Sequence, residues 1–254
     1  MIPKKIHVSW KDKNILFESK NPIAVNGLQK LRDLNPDYVI EISNDDDVHN
    51  YIKQYIDSKD WVNIKDRNIV EKTDLWRLLK MSREGGIYVD IDRYCNIPFD
   101  DIIKDTDVCI LPTHYKIDFS QDIMISAPQQ DIFLKAIELN LGRREFGCRD
   151  VLTLGPITYF HAVTEIFFGR QLERFMSGVL WKRVIKNIND REGYRTFEER
   201  PVNNMEQHRT ILFKYTGGTV LDSIDTHKPS LYEESGTSHW TECDNVFGDK
   251  IFGK

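Results

Sequence analysis

The sequence predicts an α/β fold, and three observations carry that prediction. Strand, helix and strand follow one another over residues 5–42. A helix over 67–83 stops at Gly85-Gly86 and reverses into a short apolar strand. Much of the chain between about 140 and 205 is helical in pattern, which adds a lobe beside the sheet.

Taken in order, residues 5–10 (Lys-Ile-His-Val-Ser-Trp) form the first strand, and Lys11-Asp12-Lys13-Asn14 turns away from it. A helix over 22–34 has Pro22 in its first turn and Leu28, Leu31 and Leu34 on one side. Asn35-Pro36-Asp37 is a turn, and Tyr38 to Ile42 is the second strand. Asp45, Asp46 and Asp47 then make a charged run. It reads either as a solvated loop or, standing at a strand's carboxyl end, as an approach to a ligand. Helices are expected over 48–58 and 67–83, and a third strand over 87–91, after the Gly-Gly reversal. Further strands fit 107–112 and 121–127, and further helices fit 131–140, 155–168 and 171–187. A late strand, Arg209 to Tyr215, ends at Gly217-Gly218. From 226 onward there is no clean period. The expectation is one domain over 1–254, with a mostly helical lobe at about 140–205.

The bulk properties narrow the function. A 254-residue chain can bury a substantial core. Its formal net charge of −5, without a basic stripe, argues against a nucleic-acid partner. Cys95, Cys109, Cys148 and Cys243 are scattered, without zinc spacing, and read as free thiols in a reducing compartment. Neither a secretory leader nor an apolar run of membrane-spanning length is evident, so the expected location is cytoplasmic. Peripheral membrane association stays open. Phe167-Phe168 and the face Leu172, Phe175, Met176, Val179, Leu180 read as lobe core, but Lys182, Arg183 and Lys186 lie beside them. The oligomeric state is not legible.

The chemistry concentrates in two adjoining stretches. Val70, Asp74, Arg77 and Met81 share one helix face, with Leu75, Leu78 and Leu79 close by. An acid and a base beside an apolar flank imply either an internal salt bridge or a polar ligand. The next strand, Gly85-Gly86-Ile87-Tyr88-Val89-Asp90-Ile91-Asp92, delivers two carboxylates to its carboxyl end, where open α/β sheets hold ligands. Oxygen donors of this kind suit a hard divalent cation; solvated acids are the plain alternative.

Thr73-Asp74-Leu75-Trp76-Arg77, followed by the Gly85–Asp92 stretch, resembles the DxD glycosyltransferases. That group spans yeast-type initiating mannosyltransferases, capsular sugar transferases and clostridial toxin glucosyltransferase domains. Their opening pattern is matched by Ile2, Pro3, Lys4, Ile6, His7 and Trp10. The resemblance covers residues 1 to about 100 and thins beyond. It implies a GT-A-type nucleotide-diphospho-sugar transferase fold, a Rossmann-like domain with a mixed central sheet. It implies a nucleotide-sugar donor, UDP-linked in preference to GDP-linked, a manganese or magnesium ion, and hexose transfer with retention to a glycan or other hydroxyl acceptor. By the same resemblance Trp10 stacks on the base, and Asp74 and Arg77 reach the donor sugar. Asp90 contacts sugar, ribose or metal, and Asp92 binds the metal. Ser238 and Trp240 resemble a segment that folds over the diphosphate, with His239 or His227 as a further metal ligand. Asp122 is the candidate acid near the donor sugar or acceptor. Two rivals remain. One is a nucleotide-sugar hydrolase or sugar nucleotidyltransferase, although the glycine-rich basic loop of a nucleotidyltransferase is missing after the first strand. The other is a non-catalytic nucleotide-sugar or glycan-binding module.

Overall fold

The structure is a computed structural model, and it describes residues 1–18, 22–114, 118–174, 176–204, 208–215, 218–219 and 221–223. The first half runs β1 (Lys5–Ser9), α1 (Ile15–Glu18), α2 (Pro22–Leu34), β2 (Val39–Ser43), α3 (Asp45–Tyr55), α4 (Ser58–Trp61), α5 (Ile69–Arg83) and β3 (Gly86–Val89). The middle holds β4 (Arg93–Cys95), β5 (Cys109–His114), β6 (Asp118–Phe119), β7 (Ile123–Ser126), α6 (Asp131–Glu145), a π-helical turn (Thr153–Ile157), α7 (Thr158–Phe168) and α8 (Gly178–Asn189). Then come β8 (Tyr194–Asn204), β9 (His208–Tyr215), β10 (Gly218–Thr219) and β11 (Leu221–Ser223).

The central sheet has the order β10-β9-β8-β5-β7-β3-β1-β2, with β6 on β5. β1 pairs in parallel with both β2 and β3, whereas β7 runs antiparallel to β3 and β5. The sheet is therefore mixed, as expected. Its two faces carry different cores. Ile6, Val8, Ile87 and Val89 pack with Leu28 and Leu31 of α2. Tyr88, Leu111 and Met124 pack with α3, α5, α6, α7 and α8. Strand alternation explains the split: Ile87 and Val89 face α2, so Tyr88 faces α5.

α5 is set by its ends. The Asn68 side chain accepts from the Glu71 N–H at 2.8 Å, capping the start. At the other end Gly85 and Gly86 take φ of +63° and +95°. A Cβ on Gly86 would lie 2.6 Å from the Lys5 carbonyl oxygen of β1. Only glycine makes this reversal and still lets β3 lie against β1.

Four differences from the sequence reading bear on the site and its lobe. Asp45, Asp46 and Asp47 are not a loop but the first turn of α3. The Asn44 side chain accepts from the Asp47 N–H, and the Asp47 carboxylate accepts from the Asn44 N–H, both at 2.9 Å. Acids there also suit the positive end of the helix. β3 ends at Val89, because the Arg93 N–H donates to the Asp90 carbonyl at 3.0 Å and turns the chain. The last lobe helix begins at Gly178, not 171: Gly169 ends α7 in the left-handed conformation, and Ser177 caps α8. Finally, the helical lobe stops at Asn189, and β8 beyond it runs parallel to β5. Pairing to a distant strand decided that segment, which its local charges do not announce.

Candidate active site

A cavity of about 430 Å³ opens where β1 and β3 end, between α5 and the helical lobe. Trp10, Asp74, Arg77, Asp90, Asp92 and Asp122 all line it, and so do Asp45, Tyr88, Gln121, Pro156 and Arg174. Six candidate residues from four parts of the chain thus border one space. Ser238, His239, Trp240 and His227 lie outside the described residues.

Asp74 and Arg77 form an ion pair at 3.4 Å, one helical turn apart on α5. The Arg77 guanidinium also lies 3.4 Å from Asp90, donates to the Gln121 carbonyl at 3.1 Å, and sits 4.7 Å from the centre of the Tyr88 ring. Both readings of this helix face, salt bridge and ligand contact, are thus open to the same residues. Burial pushes the Asp74 carboxyl up to about 6, against the opposing pull of Arg77 and Arg144. Burial alone would weaken the charge on Arg77; Tyr88, Asp90, Asp74 and Asp92 outweigh it and hold the guanidinium charged.

Four buried polar atoms on cavity-lining residues have no hydrogen-bond partner among the described residues; beside Arg77 Nε and Arg174 Nε, two lie outside the arginines. Those two are Asp74 Oδ2, an acceptor, and Gln121 Nε2, a donor. An unsatisfied buried group costs about 1–3 kcal/mol. A ligand carrying hydroxyls answers both, since a hydroxyl donates and accepts.

The paired carboxylates are not equivalent. Asp90 Oδ1 accepts from the Tyr88 hydroxyl at 2.5 Å and faces Arg77, so that oxygen is committed within the protein. Asp92 sits two residues on, in the turn, 5% exposed. Oxygen donors in a cavity fit a hard cation. Asp122 is ion-paired with Arg93 and accepts from the Ser120 hydroxyl, while its main-chain carbonyl accepts from the Asp90 N–H at 2.8 Å. Its carboxylate therefore anchors the turn that carries the DxD acids.

A second group of metal-capable donors lies outside the cavity lining. His7, Glu41 and Glu84 place one ligand atom each within 4.8 Å of one another, a His/Glu/Glu set able to coordinate a divalent metal. Lys80 already puts its ammonium 2.9 Å from Glu41 and 2.8 Å from Glu84.

Sequence reasoning missed Tyr88, Gln121, Arg93 and the Asp118–Arg174 ion pair beside the cavity. Tyr88 was legible, standing two residues before Asp90 on the same strand face. Gln121 was not: only the antiparallel docking of β7 on β3 brings it to Arg77.

Comparison with known proteins agrees with this geometry. Residues 24–109 match the family model described as a glycosyltransferase sugar-binding region containing a DXD motif. The chain is 30% identical over 142 residues to the mannosyl phosphorylinositol ceramide synthase SUR1 of Saccharomyces cerevisiae, covering 54% of this chain and 34% of that protein. It is 32% identical over 141 residues to the synthase CSH1 of the same yeast, covering 54% and 35%. The chain thus spans about a third of the length of these relatives. Among solved structures, the PaToxG glycosyltransferase superposes with a TM-score of 0.52 at 18% identity, covering 74% of this chain and 76% of that one. The chain therefore carries a DxD-motif glycosyltransferase domain with a GT-A-like α/β fold, related to yeast mannosyl-phosphorylinositol-ceramide synthases.

Proposed function

We propose that the cavity binds a nucleoside-diphosphate hexose with a divalent metal and transfers the sugar to a hydroxyl of a glycan or other acceptor. The observation that carries this reading is that Asp74 and Gln121, each with a buried polar atom lacking a hydrogen-bond partner among the described residues, line the same cavity as the DxD acids. Sugar hydroxyls suit both. Asp74 accepts from one, Gln121 donates to another, and Arg77 holds the two residues in register through an ion pair and a main-chain hydrogen bond.

Trp10, at the end of β1, supplies a flat apolar surface for the base. Asp45, at the start of α3, borders the same cavity near Lys11. Asp92, supported by Asp90, would hold manganese or magnesium, which as a Lewis acid stabilises the departing diphosphate. Asp122 serves the turn rather than attacking the sugar, since Arg93 and Ser120 occupy its carboxylate. A protein nucleophile for double displacement needs a carboxylate close to the anomeric carbon. Without one assigned, retention by same-face attack, with the leaving phosphate accepting the acceptor's proton, is the mechanism we adopt. UDP ranks ahead of GDP on the resemblance of Ser238-His239-Trp240 to the toxin segment.

The test is a screen of UDP-glucose, UDP-galactose, UDP-N-acetylglucosamine and GDP-mannose for manganese-dependent release of the nucleoside diphosphate, with and without glycan acceptors. We expect release from one donor class, faster with acceptor. Failure to bind any of the four with manganese would end this reading.

A further inference from the structure

A glycine of the helical lobe packs against one of the proposed donor residues, Asp74. Gly155 lies in the π-helical turn Thr153–Ile157, immediately before Pro156, which lines the cavity. A Cβ built on Gly155 would stand 2.8 Å from Asp74 Oδ2, 2.9 Å from its Cγ and 2.9 Å from its Oδ1. All three atoms of the carboxylate group therefore face the bare Cα. No real Cβ tolerates such contacts, so a side chain here must push the carboxylate away or lift the lobe. By contrast, Gly142, Gly147, Gly169 and Gly178 have open space where a Cβ would go.

The surroundings leave little freedom for either movement. The π-turn is fastened to α6, because the Asn140 amide donates to the Leu154 carbonyl at 2.8 Å and the Arg143 guanidinium donates to the Thr153 carbonyl at 2.7 Å. Asp74 itself is 3% exposed and is gripped on another side by Arg77. The carboxylate is thus clamped between a guanidinium and a backbone. π-Turns inserted in helices recur at functional sites because the extra residue re-aims the chain.

We propose that Gly155 is a positioning residue: its bare Cα lets the lobe close on the Asp74 carboxylate and fixes that carboxylate for the donor sugar. The proposal rests on the donor reading above for its functional half and on sterics alone for its structural half. Gly155 acts through Asp74 and touches no ligand itself.

The experiment pairs Gly155→Ala with Asp74→Ala in a double-mutant cycle. The first measurement is binding, with manganese, of UDP and GDP against UDP-glucose and GDP-mannose. We expect Gly155→Ala to leave nucleoside-diphosphate affinity within about twofold and to lower nucleotide-sugar affinity at least about tenfold, a loss near 1.4 kcal/mol. In the Asp74→Ala background the same substitution should add nothing. Equal loss for both ligand types, or an additive loss, would overturn the proposal. The second measurement is thermal unfolding. Gly155→Ala should destabilise the protein when Asp74 is present and much less when Asp74 is alanine. If Gly155→Ala does not fold, recovery of folding in the double variant supports the proposal and failure of both overturns it. If the unsubstituted protein binds no nucleotide sugar, the donor reading falls, and the unfolding cycle still decides the steric half. Gly142→Ala, in open space on α6, is the control expected to change neither measurement.

Discussion

Two charged clusters lie along the same helix, and they differ in what they leave unfinished. Near the start of α5, Asp74 and Arg77 meet Asp90 and Asp92 over a cavity. One turn further on, Lys80 sits between Glu41 and Glu84, and His7 and Tyr51 close the group. In the second cluster the charges answer one another. Lys80 bridges both carboxylates, Lys5 reaches Glu84 at 3.2 Å, the Tyr51 hydroxyl donates to Glu84 at 2.9 Å, and His7 Nε2 donates to the Gly85 carbonyl at 2.9 Å. The His7 ring, 3.3 Å away, and Lys80 draw the Glu41 carboxyl down to about 2. In the first cluster burial wins instead, and Asp74 rises to about 6 with one oxygen unpartnered. The second cluster pairs its charged groups and leaves His7 Nδ1 without a hydrogen bond, whereas the first leaves a carboxylate oxygen, Asp74 Oδ2, without one; a buried carboxylate so placed beside a cavity is a candidate for ligand contact.

If that contrast is right, substitutions in the first cluster should cost binding and turnover, and substitutions in the second should cost stability. The largest effect belongs to Asp92→Ala. Removing the proposed direct metal ligand should abolish manganese-dependent release of the nucleoside diphosphate, by about 100-fold or more on the usual scale for electrostatic stabilisers. Full turnover in that variant, or turnover that survives excess chelator, would break the comparison at its first term.

Asp74→Asn comes next. An aspartate that accepts from sugar hydroxyls as a carboxylate should, on conversion to an amide, lose about 1.5–3 kcal/mol of donor binding, the range for hydrogen bonds to charged groups. The pH dependence sharpens this. Because burial raises the Asp74 pKa to about 6, the carboxylate form is lost as pH falls through about 6, and nucleotide-sugar affinity should fall with it. Stability should move oppositely. The folded-state pKa lies above the ordinary 3.8, so the contribution of Asp74 is fully present below that value and is lost as pH rises through about 6. Titrating donor affinity and unfolding temperature between pH 5 and 8, in parent and Asp74→Asn, checks both signs. A parent affinity flat across that range would remove Asp74 from the donor contacts.

How much of this contrast was legible beforehand follows from spacing. Asp74 and Arg77 are three residues apart on a helix and Asp90 and Asp92 two apart at a strand end, so local periodicity alone grouped them. The Gly85-Gly86 reversal then fixed the direction in which the acids point. The second cluster was not legible, although every member was in view. His7, Glu41 and Lys80 come from β1, β2 and α5, and only the parallel register pairing His7 with Glu41 brings them together. The same limit hid Gln121, and Asp122's bond to Arg93, which depend on β7 lying against β3. The extent of β8 was hidden for a related reason. Its partner β5 lies some 80 residues earlier, and no local period records such a pairing.

Lys80→Met tests the other half of the comparison. Lys80 is 4% exposed in its side chain, while Glu41 and Glu84 are 42% and 24% exposed, so water screens the carboxylates left behind. The loss should therefore be about 1–2 kcal/mol, below the 3–5 kcal/mol typical of breaking a fully buried pair and above the exposed-pair range. Denaturant unfolding measures it. Nucleotide-sugar affinity should not change. Chelation of the unsubstituted protein should not lower its unfolding temperature either, since Lys80 rather than a metal joins Glu41 to Glu84. A fall on adding chelator alone would mean that His7, Glu41 and Glu84 use their donor capacity in the native state.

The smallest expected effect is the sharpest in sign. Gln121 is 5% exposed, and its Nε2 has no hydrogen-bond partner among the described residues. Gln121→Leu keeps the volume close while removing the polar amide. If the amide serves only folding, the change should destabilise or be neutral, and sugar binding should stay put. If the amide waits for a sugar hydroxyl, two changes follow together: donor affinity drops about 3- to 10-fold, the worth of one neutral hydrogen bond, and the ligand-free protein gains up to about 1 kcal/mol. The main-chain carbonyl of Gln121 that Arg77 binds is untouched by the substitution, so Arg77 stays in place and the side chain is tested by itself. A gain in stability paired with a loss in affinity is the signature of a polar group placed for a ligand at the expense of the fold. Loss of stability at Lys80 with binding intact is its mirror image, and the two together separate what α5 does for the sheet from what it does for the cavity.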